Sequence, residues 1–503
     1  MRKSLPIFYG ALLLTGVNLL LRFVSTSFQV FISAKIGAEG VGLLQLVLTV
    51  GGLSMTAGMA GIRTATMYLT AGELGRKKPQ NVTWVLRACF LYSLSFSIAI
   101  SLLLFFGAPF LATHWIGNLK TIGAIRLYAL FLPLICLTGC MTGYFTAANQ
   151  ILTLAGIEIL EQLCYMIVTM SILLFWAENS AEKACEAIVF GCGISSSLTL
   201  LLLLLIRRKQ RSPRASRITV RKSLLQTALP LALADNVKAG ISTAENLMVP
   251  KRLALYRKET SPLATFGTVV GMVFPVLMFP AAILYALAEL LIPELARCAA
   301  TGNTLRIRYL VRRSLRLCAL YGCVCGGILY LIAEPLCIKL YTSPSAGRFL
   351  KLYSILAPML YCDAITDAMV KGLGQQTASV RYNILTSAMD VAMLFVLLPR
   401  YGMMGYFISF LISHLINFIL SLNRLLRFSG VRLPFYLPAM AATACIVTTV
   451  LSATLTSIHF RIICFILLFF SLLILLGIVG KRDVLWLKGL LKKNRPWADS
   501  QRD

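Results

Sequence analysis

The sequence predicts an all-α integral membrane protein of about 14 transmembrane helices, with two six-helix lobes and two C-terminal helices. Composition is the first reason: hydrophobic residues make up 58% of 503 positions and charged residues 13%, and the mean hydropathy is +0.81. Uncharged runs such as 88–119 and 260–288 are the second, since roughly 20 apolar residues cross a bilayer. An internal repeat is the third.

Hydropathy, punctuated by Gly, Pro and charge, places the individual helices. The predicted ranges are 5–34, 41–70, 84–108, 122–147, 151–177, 184–206, 223–249, 262–292, 310–333, 349–373, 377–398, 402–424, 435–457 and 460–480. The N-terminus resembles a signal sequence, but Arg22 interrupts its apolar stretch and no small-residue cleavage site follows, so it is counted as a helix. Pro275 and Pro280 predict a bend in the eighth helix.

The distribution of Lys and Arg sets the orientation. Of the 48 cations, thirty fall on the side of both termini, thirteen on the other side and five within helices. The excess marks the cytoplasmic side, so we expect a multi-pass protein of the cell membrane with cytoplasmic N- and C-termini. The loop 250–261 departs from this rule, because it places four cations on the predicted outer face.

The basic run 207–222 divides the chain. It holds eight cations and no acid in sixteen residues, without interleaved aromatics, and is expected to lie against anionic lipid rather than nucleic acid. The predicted domains are an N-terminal lobe (1–206), this cytoplasmic linker (207–222), a C-terminal lobe (223–426), two extra transmembrane helices (427–480) and a basic cytoplasmic tail (481–503).

The two halves repeat a pattern at a shift of 225 residues. Arg126-Leu127-Tyr128, Pro133 and Gln150 recur as Lys351-Leu352-Tyr353, Pro358 and Gln375, and Gly42 recurs as Gly267. Several matches in register on corresponding helices favour duplication of a six-helix unit. Because six is even, the units enter the membrane in the same direction, related by a pseudo-two-fold axis along the membrane normal.

Enzyme signatures are missing from the sequence. It contains no GxxxxGK[ST] phosphate loop, no nucleophile elbow and no soluble stretch long enough for a catalytic domain. Most of the fourteen Cys lie in apolar segments and the three His are far apart, which predicts neither disulfides nor a metal site. We expect a protein that is not an enzyme and has no cofactor.

Polar residues inside the spans are the candidate site. A cation at mid-membrane costs at least about 2.5 kcal/mol, so it usually faces a cavity or a partner. Two helices carry polar stripes with spacings of three and four. The stripes are Thr15, Asn18, Arg22, Ser25 and Gln29 on the first helix, and Asp235, Lys238, Ser242 and Glu245 on the seventh. Facing each other, they would line a hydrated cavity between the lobes.

Simpler interpretations of these charges stay open. Arg22 could snorkel or pair with an acid, Arg63 could snorkel, and Asp235 could neutralise Lys238 at i,i+3.

The acids of the tenth and eleventh helices give a separate prediction. Asp367 is expected to pair with Lys371 at i,i+4. Asp363 and Asp390 have no obvious partner and are candidates for binding a coupling cation.

Five short segments resemble a known family. They are 35–45 (KIGAEGVGLLQ), 60–63 (AGIR), 245–253 (ENLMVPKRL), 274–280 (FPVLMFP) and 372–375 (GLGQ). With the two lobes and the basic linker, they resemble the polysaccharide exporter branch of the multidrug/oligosaccharidyl-lipid/polysaccharide (MOP) superfamily, and within it the stage V sporulation protein B group.

This resemblance implies a flippase for an undecaprenyl-diphosphate-linked saccharide, a lipid II-like peptidoglycan precursor for the spore cortex. It implies a cationic cavity for the diphosphate. The positions that correspond are Arg22, Arg63, Lys238, Lys251 and Arg252. The implied partners are the lipid-linked oligosaccharide, membrane lipids and envelope or spore-cortex synthesis proteins, without nucleic acid. Na⁺, H⁺ or the membrane potential would drive transport.

Two other functions stay open. A cation-coupled multidrug exporter of the same superfamily would use acids such as Glu158 and Glu161, but Arg22 and Arg63 would repel cationic drugs. A non-transporting scaffold for envelope synthesis would need none of these charges.

Overall fold

A computed structural model of the chain describes residues 7–76, 78–175, 180–209, 221–431 and 436–478. These residues are almost entirely helical and contain no strand. The basic tail 481–503, most of the linker 207–222 and the cations before residue 7 lie outside the described residues.

Every predicted helix range coincides with helical structure in the described residues, interrupted by turns at 60–61, 279–281 and 355–356 and ending early at 453 and 475. The α-helices are α1 Ile7–Met59, α2 Ile62–Gly75, α3 Val82–Phe110, α4 Ile122–Ala147, α5 Ile151–Phe175, α6 Ala181–Lys209, α7 Arg221–Leu253, α8 Pro262–Phe266, α9 Phe274–Met278, α10 Ala282–Ala300, α11 Thr304–Tyr341, α12 Pro344–Ser354, α13 Ala357–Gly372, α14 Gln376–Tyr401, α15 Met403–Ser429, α16 Tyr436–Ala453 and α17 Ile458–Leu475. A π-helical stretch, Gly267–Val273, joins α8 to α9. We call α1–α6 the N-terminal lobe and α7–α15 the C-terminal lobe.

Nine helices of the described ranges are long and apolar enough to span a membrane, or eleven if each of two bent pairs is one span. The difference from fourteen has physical causes. The stretch 19–75 is counted once although two spans were predicted there, α7 is too polar, and the apolar part of α16 is short. Fourteen stays a prediction with which the structure is consistent.

The first two predicted helices meet at Gly37 with almost no loop. Gly37 has φ 70° and ψ 177°, a conformation that glycine adopts at little cost. Gln29 and Gln45 both lie against Gly271, although a straight helix would place them about 24 Å apart. The chain therefore folds back at Gly37, and α1 consists of two arms.

Large apolar side chains cover the outside of the helices. Phe175 is 87% exposed, Leu475 82% and Phe106 75%. A soluble protein rarely exposes so much contiguous apolar surface, whereas lipid solvates it. The predicted multi-pass membrane protein is thus confirmed.

The eighth predicted helix is broken, as its prolines predict. Its two parts, 262–278 and 282–300, are bent by 63° at Pro280. Three tyrosine hydroxyls donate to carbonyls along the broken stretch. The bonds are Tyr341 to Met272 (3.1 Å), Tyr361 to Leu277 (2.6 Å) and Tyr321 to Pro280 (2.8 Å). They satisfy backbone groups that an unbroken helix would pair internally.

The lobes meet at the glycine pair that the repeat aligned. A Cβ on Gly267 would lie 2.1 Å from the Ala38 carbonyl oxygen and 2.5 Å from the Gly42 nitrogen. A Cβ on Gly42 would lie 2.3 Å from the Leu263 carbonyl oxygen. Only glycine allows this approach. Positions related by a two-fold axis touch where the axis passes between them, which agrees with the predicted symmetry.

The tenth predicted helix is broken without having been predicted so. α12 and α13 are bent by 59°, and Pro358 lies in the first turn of α13. The matching Pro133 lies inside an unbroken α4. Proline permits a bend, but packing against neighbouring helices decides whether one forms.

Candidate substrate and coupling sites

Arg22 reaches from the N-terminal lobe to the C-terminal lobe. Its guanidinium carbon lies 4.8 Å from the centre of the Tyr285 ring on α10, and the neighbouring Phe23 ring lies 5.9 Å from the Phe279 ring. A guanidinium over an aromatic face is held by cation–π attraction, which leaves its edge free to donate hydrogen bonds. The main cation predicted for the diphosphate therefore lies at the seam between the lobes.

The other residues of the first stripe have different environments. Gln29 Nε2 donates to the Gly271 carbonyl at 3.3 Å, four residues before Pro275, which has no N–H to offer it. Gln29 thus has a structural task across the seam. Ser25 is exposed one turn from Arg22, and the Asn18 side chain lies outside the described residues.

Arg63 lies just after the break between α1 and α2. The backbone turns there at Ala60 (φ 44°) and Gly61 (φ 71°). The Arg63 side chain is exposed and acts electrostatically on Glu158 of α5. In the part of the chain that the structure describes, no hydrogen bond or ring contact links Arg63 to Arg22, so the structure does not show them as one cluster.

Asp235 and Lys238 on α7 interact as their i,i+3 spacing predicts. Both side chains and that of Ser242 are exposed. Lys238 therefore has a local counter-charge, and an arriving anion would have to compete with Asp235 for it.

Glu245 is the last residue of the second stripe, and it lies beside another acid, Asp390 of α14. Their carboxyl groups act electrostatically on each other, and two negative charges so close together repel each other. Ser409 Oγ donates to Asp390 Oδ1 at 2.5 Å, and Tyr406 is buried beside both acids. The structure thus joins a predicted cavity residue and a predicted coupling residue in one carboxyl pair, in which Asp390 is buried and Glu245 is half-buried.

Asp363 lies elsewhere, on a cavity of about 390 Å³ within the C-terminal lobe. Asn417 Nδ2 donates to both of its carboxylate oxygens, at 3.0 and 3.2 Å, and His414 Nδ1 lies 3.5 Å from its Oδ2. Tyr285 and Glu289 also line this cavity. Because Tyr285 also contacts Arg22, the cavity shares a wall with the seam.

Asp367 and Lys371 form the predicted ion pair on the same cavity. Lys371 Nζ lies 2.5 Å from Asp367 Oδ2, and Ser379 also donates to Asp367. This local prediction is confirmed.

Lys251 and Arg252 lie at the far end of α7, about 20 Å along the helix from Lys238. Lys251 donates to the His114 carbonyl of the N-terminal lobe, and the Arg252 guanidinium lies 3.2 Å from the centre of the Phe395 ring. The structure places both cations at the end of the lobes that was predicted to face outward, and not beside Arg22.

Sequence reasoning missed Tyr285, His414 and Asn417. A signal for Asn417 was present, because polar residues recur every four positions along one face of α15 and are buried. They are Ser409, Ser413, Asn417 and Ser421. Tyr285 and His414 belong to no pattern, and only packing brings them to the cavity.

The fold and these sites define a class of protein: a polytopic membrane protein whose two lobes place a charged residue, Arg22, at their seam. The MatE family model matches residues 14–175, which cover the first five helices. Stage V sporulation protein B of Bacillus subtilis (strain 168) is 22% identical over 413 residues, 79% of each chain.

Solved structures show the same fold. One is the lipid II flippase MurJ in an inward closed conformation, with a TM-score of 0.67 and 12% identity, covering 96% of this chain and 100% of that one. Another is the inward-facing conformation of a multidrug resistance MATE family transporter of the MOP superfamily. It has a TM-score of 0.66 and 14% identity, and the match covers 83% of this chain and 98% of that one.

These comparisons confirm the resemblance to the flippase branch of the MOP superfamily. The chain has the fold of MOP transporters, and fold and family match together support a transporter or flippase. The functions named for the matching solved structures are transport functions, in agreement with the prediction that the chain is not an enzyme.

Proposed function

We propose that this protein is a flippase that moves an undecaprenyl-diphosphate-linked saccharide across the cell membrane. The substrate is a lipid II-like peptidoglycan precursor for the spore cortex, and both termini are cytoplasmic. Transport proceeds by alternating access, in which one lobe rocks against the other around the seam. The lipid tail stays in the bilayer while the charged head crosses between the lobes.

Arg22 at the seam carries this proposal. A cation within a membrane-spanning helix is expensive to keep unless a function requires it. The planar guanidinium can give a diphosphate two parallel hydrogen bonds, which are the strongest that a side chain makes. Its contact with Tyr285 places it where movement of the lobes would change its surroundings.

Arg22→Ala tests the proposal by photocrosslinking of the purified protein to an undecaprenyl-diphosphate sugar, with lipid II as competitor. Loss of a charge-assisted pair should weaken labelling by about 100-fold, equivalent to about 3 kcal/mol. Arg126→Ala is the matched control, because Arg126 contacts the Phe105 ring within the N-terminal lobe. Arg22→Lys should restore part of the binding.

Other outcomes favour the competing functions. If Arg22→Ala leaves labelling intact, the site assignment is wrong. If wild-type protein is not labelled, and drug efflux holds or rises in Arg22→Ala cells, a cationic-drug exporter is favoured. If labelling is absent and no substitution of Arg22 changes cortex assembly or efflux, the protein is a scaffold.

For energy coupling we propose the carboxyl pair of Glu245 and Asp390. Two neighbouring carboxyl groups disfavour a second negative charge, so a proton bound at the pair would be released when movement of α7 against α14 separates them, which would couple the proton to the conformational change. Asp363 stays a second candidate, and Na⁺ and the membrane potential are alternatives to H⁺.

Transport in proteoliposomes under imposed H⁺, Na⁺ or potential gradients tests this coupling. Asp390→Asn should remove the acceleration by a proton gradient, while Glu334→Gln, a surface acid 3.8 Å from Lys351, should keep it. A proton response that survives in Asp390→Asn would exclude the pair as the coupling site.

A further inference from the structure

A second pocket, of about 240 Å³, lies between α14 and α15 at the end of the C-terminal lobe that is predicted to face the cytoplasm. Its charged lining residues are Arg381 and Arg424, and none of the described residues that line it is an acid. The acid at this end of α13, Asp367, is engaged by Lys371 and Ser379. The pocket therefore carries two positive charges without a counter-charge from its own lining.

Arg424 is held in place at this pocket by two neighbours. Its Nε and Nη2 donate to Gln375 Oε1 at 3.2 and 2.6 Å, and its guanidinium carbon lies 4.5 Å from the centre of the Phe428 ring. These contacts fix the plane of the guanidinium and do not use its Nη1. They also occupy both lone pairs of the Gln375 oxygen, so the Gln375 side chain has only N–H groups left to offer.

Arg381 is the second cation of the pocket. It is exposed, and it has no hydrogen-bond, ion-pair or ring partner in the part of the chain that the structure describes. Thr377, which also lines the pocket, lies in the first turn of α14, where backbone N–H groups have no partner within the helix. The lining thus combines cationic and neutral donors, a set that suits the oxygens of a phosphate group.

The position of the pocket along its helices matches the layer of lipid head groups. Arg381 lies five residues after the start of α14, and Arg424 lies five residues before the end of α15. Both cations are therefore about 8 Å along their helices from the ends. Phe428 and Val380 beside them are exposed apolar side chains, which lipid chains would cover. Basic pockets between membrane-spanning helices on the cytoplasmic side bind anionic lipid head groups.

We infer that this pocket binds the phosphate of an anionic phospholipid from the cytoplasmic leaflet. Arg381 and Arg424 supply the counter-charge and donate to the phosphate oxygens. A zwitterionic lipid brings a cation of its own, which the two arginines would repel, so the pocket selects lipids of net negative charge. This binding is independent of the proposed function, because Tyr285, the contact of Arg22, does not line the pocket.

Native mass spectrometry of the purified full-length protein tests the inference. The protein is titrated in detergent with phosphatidylglycerol or with phosphatidylcholine of the same acyl chains. Wild type should bind phosphatidylglycerol about tenfold more tightly, the effect of one charge-assisted hydrogen bond. Glycerol phosphate, the soluble head group, should not displace the lipid at equal concentration, because it has no chains to bury against the apolar rim.

Three variants locate the preference for phosphatidylglycerol. Arg381→Gln should remove most of it without lowering the melting temperature, because Arg381 supports no other side chain. Arg424→Lys keeps the charge but loses the planar contact with Gln375, and should reduce the preference by less. Arg297→Gln is the matched control. Arg297 lies on the same predicted side but has an acid partner, Glu294, at 3.4 Å, so this variant should keep the full preference.

Equal affinity of wild type for the two lipids would overturn the inference. An equal loss in Arg297→Gln and Arg381→Gln would do the same, because it would indicate a general effect of surface charge. Displacement of the lipid by equimolar glycerol phosphate would make the ligand a soluble phosphate and contradict the inference too.

The transported lipid is the remaining alternative ligand of this pocket. If Arg381→Gln weakens the binding of lipid II and leaves that of phosphatidylglycerol intact, the pocket receives the substrate and the inference is wrong. Arg22→Ala should leave phosphatidylglycerol binding unchanged. A failure of the proposed function at Arg22 would therefore be distinguishable from a failure of lipid binding at Arg381.

Discussion

The fourth predicted helix and its repeat counterpart have the same place in the two lobes but different chemistry. At the shift of 225, Thr138, Thr142 and Thr146 of α4 correspond to Asp363, Asp367 and Lys371 of α13. The threonine hydroxyls all donate to backbone carbonyls of the N-terminal lobe. Their counterparts are charged and line a cavity.

Backbone shape differs along with chemistry. α4 runs through Pro133 without a break, whereas α12 and α13 are bent by 59°, and Asp363 lies about one and a half turns after Pro358. Of the two matching segments, one is bent and lines a charged cavity, and the other is straight and hydrogen-bonded within its own lobe. Equivalent positions in a repeat share their depth and neighbouring helices without sharing their function.

Placing the charge of Asp363 at the corresponding position of the N-terminal lobe, Thr138, should have the largest effect on the stability of the protein. Thr138 is buried, and its hydroxyl donates to the Ser196 carbonyl at 3.2 Å. In Thr138→Asp, a carboxylate would face that oxygen without a counter-charge, at a cost of several kcal/mol. We expect no monodisperse protein by size-exclusion chromatography.

Thr146→Asp on the same helix is the control, because Thr146 is exposed. A well-behaved Thr138→Asp protein would show that the N-terminal lobe can also hold a charge there.

A substitution at the contact between Gly42 and Gly267 should have the second-largest effect on stability. Gly267→Ala places a Cβ 2.1 Å from the Ala38 carbonyl oxygen, and such overpacking costs about 1–3 kcal/mol. Gly52→Ala is the matched control, because a Cβ there meets nothing within 4 Å. Melting curves in detergent should show a lower transition for Gly267→Ala alone, and equal transitions would refute the close approach.

The reverse exchange, Asp363→Thr, should spare the fold and change binding. It gives α13 the residue that α4 has, so the melting temperature should fall only slightly. Because Asp363 is a candidate for binding a coupling cation, the acceleration of transport by a sodium or proton gradient in proteoliposomes should fall about tenfold, equivalent to about 1.4 kcal/mol. A large loss of stability with unchanged coupling would mean that Asp363 serves packing rather than binding.

Removing a surface ion pair should have the smallest effect. Glu334 and Lys351 are 3.8 Å apart with side chains 54% and 42% exposed. Glu334→Gln should lower the free energy of unfolding by less than about 0.5 kcal/mol. A shift as large as that of Gly267→Ala would indicate that the pair joins α11 to α12 more firmly than its exposure suggests.

Much of the fold was predictable because a bilayer imposes a local rule on the sequence. The range 122–147 was predicted for α4 and is found, since an apolar run between polar ends needs no knowledge of its neighbours. The fold-back at Gly37 falls between the predicted ranges 5–34 and 41–70 and so agrees with the hydropathy. The break before Pro358 depends on what packs against it, which hydropathy does not show.

In the candidate sites too, contacts within one helix could be predicted from the sequence, whereas contacts between helices could not. The ion pair of Asp367 with Lys371 follows from helical spacing. The pairing of Glu245 with Asp390 joins residues far apart in the chain, so sequence analysis assigned them separate roles. Asn417 joins Asp363 only because α13 and α15 are neighbours in the folded protein.

The glycine contact between Gly42 and Gly267 has a consequence for the electrical insulation of the membrane. Backbone atoms approach so closely there that neither a side chain nor a water molecule fits between them. A membrane potential of about 100 mV is worth about 2.3 kcal/mol for each charge that crosses the bilayer. A continuous water path between the lobes would let ions cross and dissipate this potential. Two residues without side chains thus close the seam at this point against such a path.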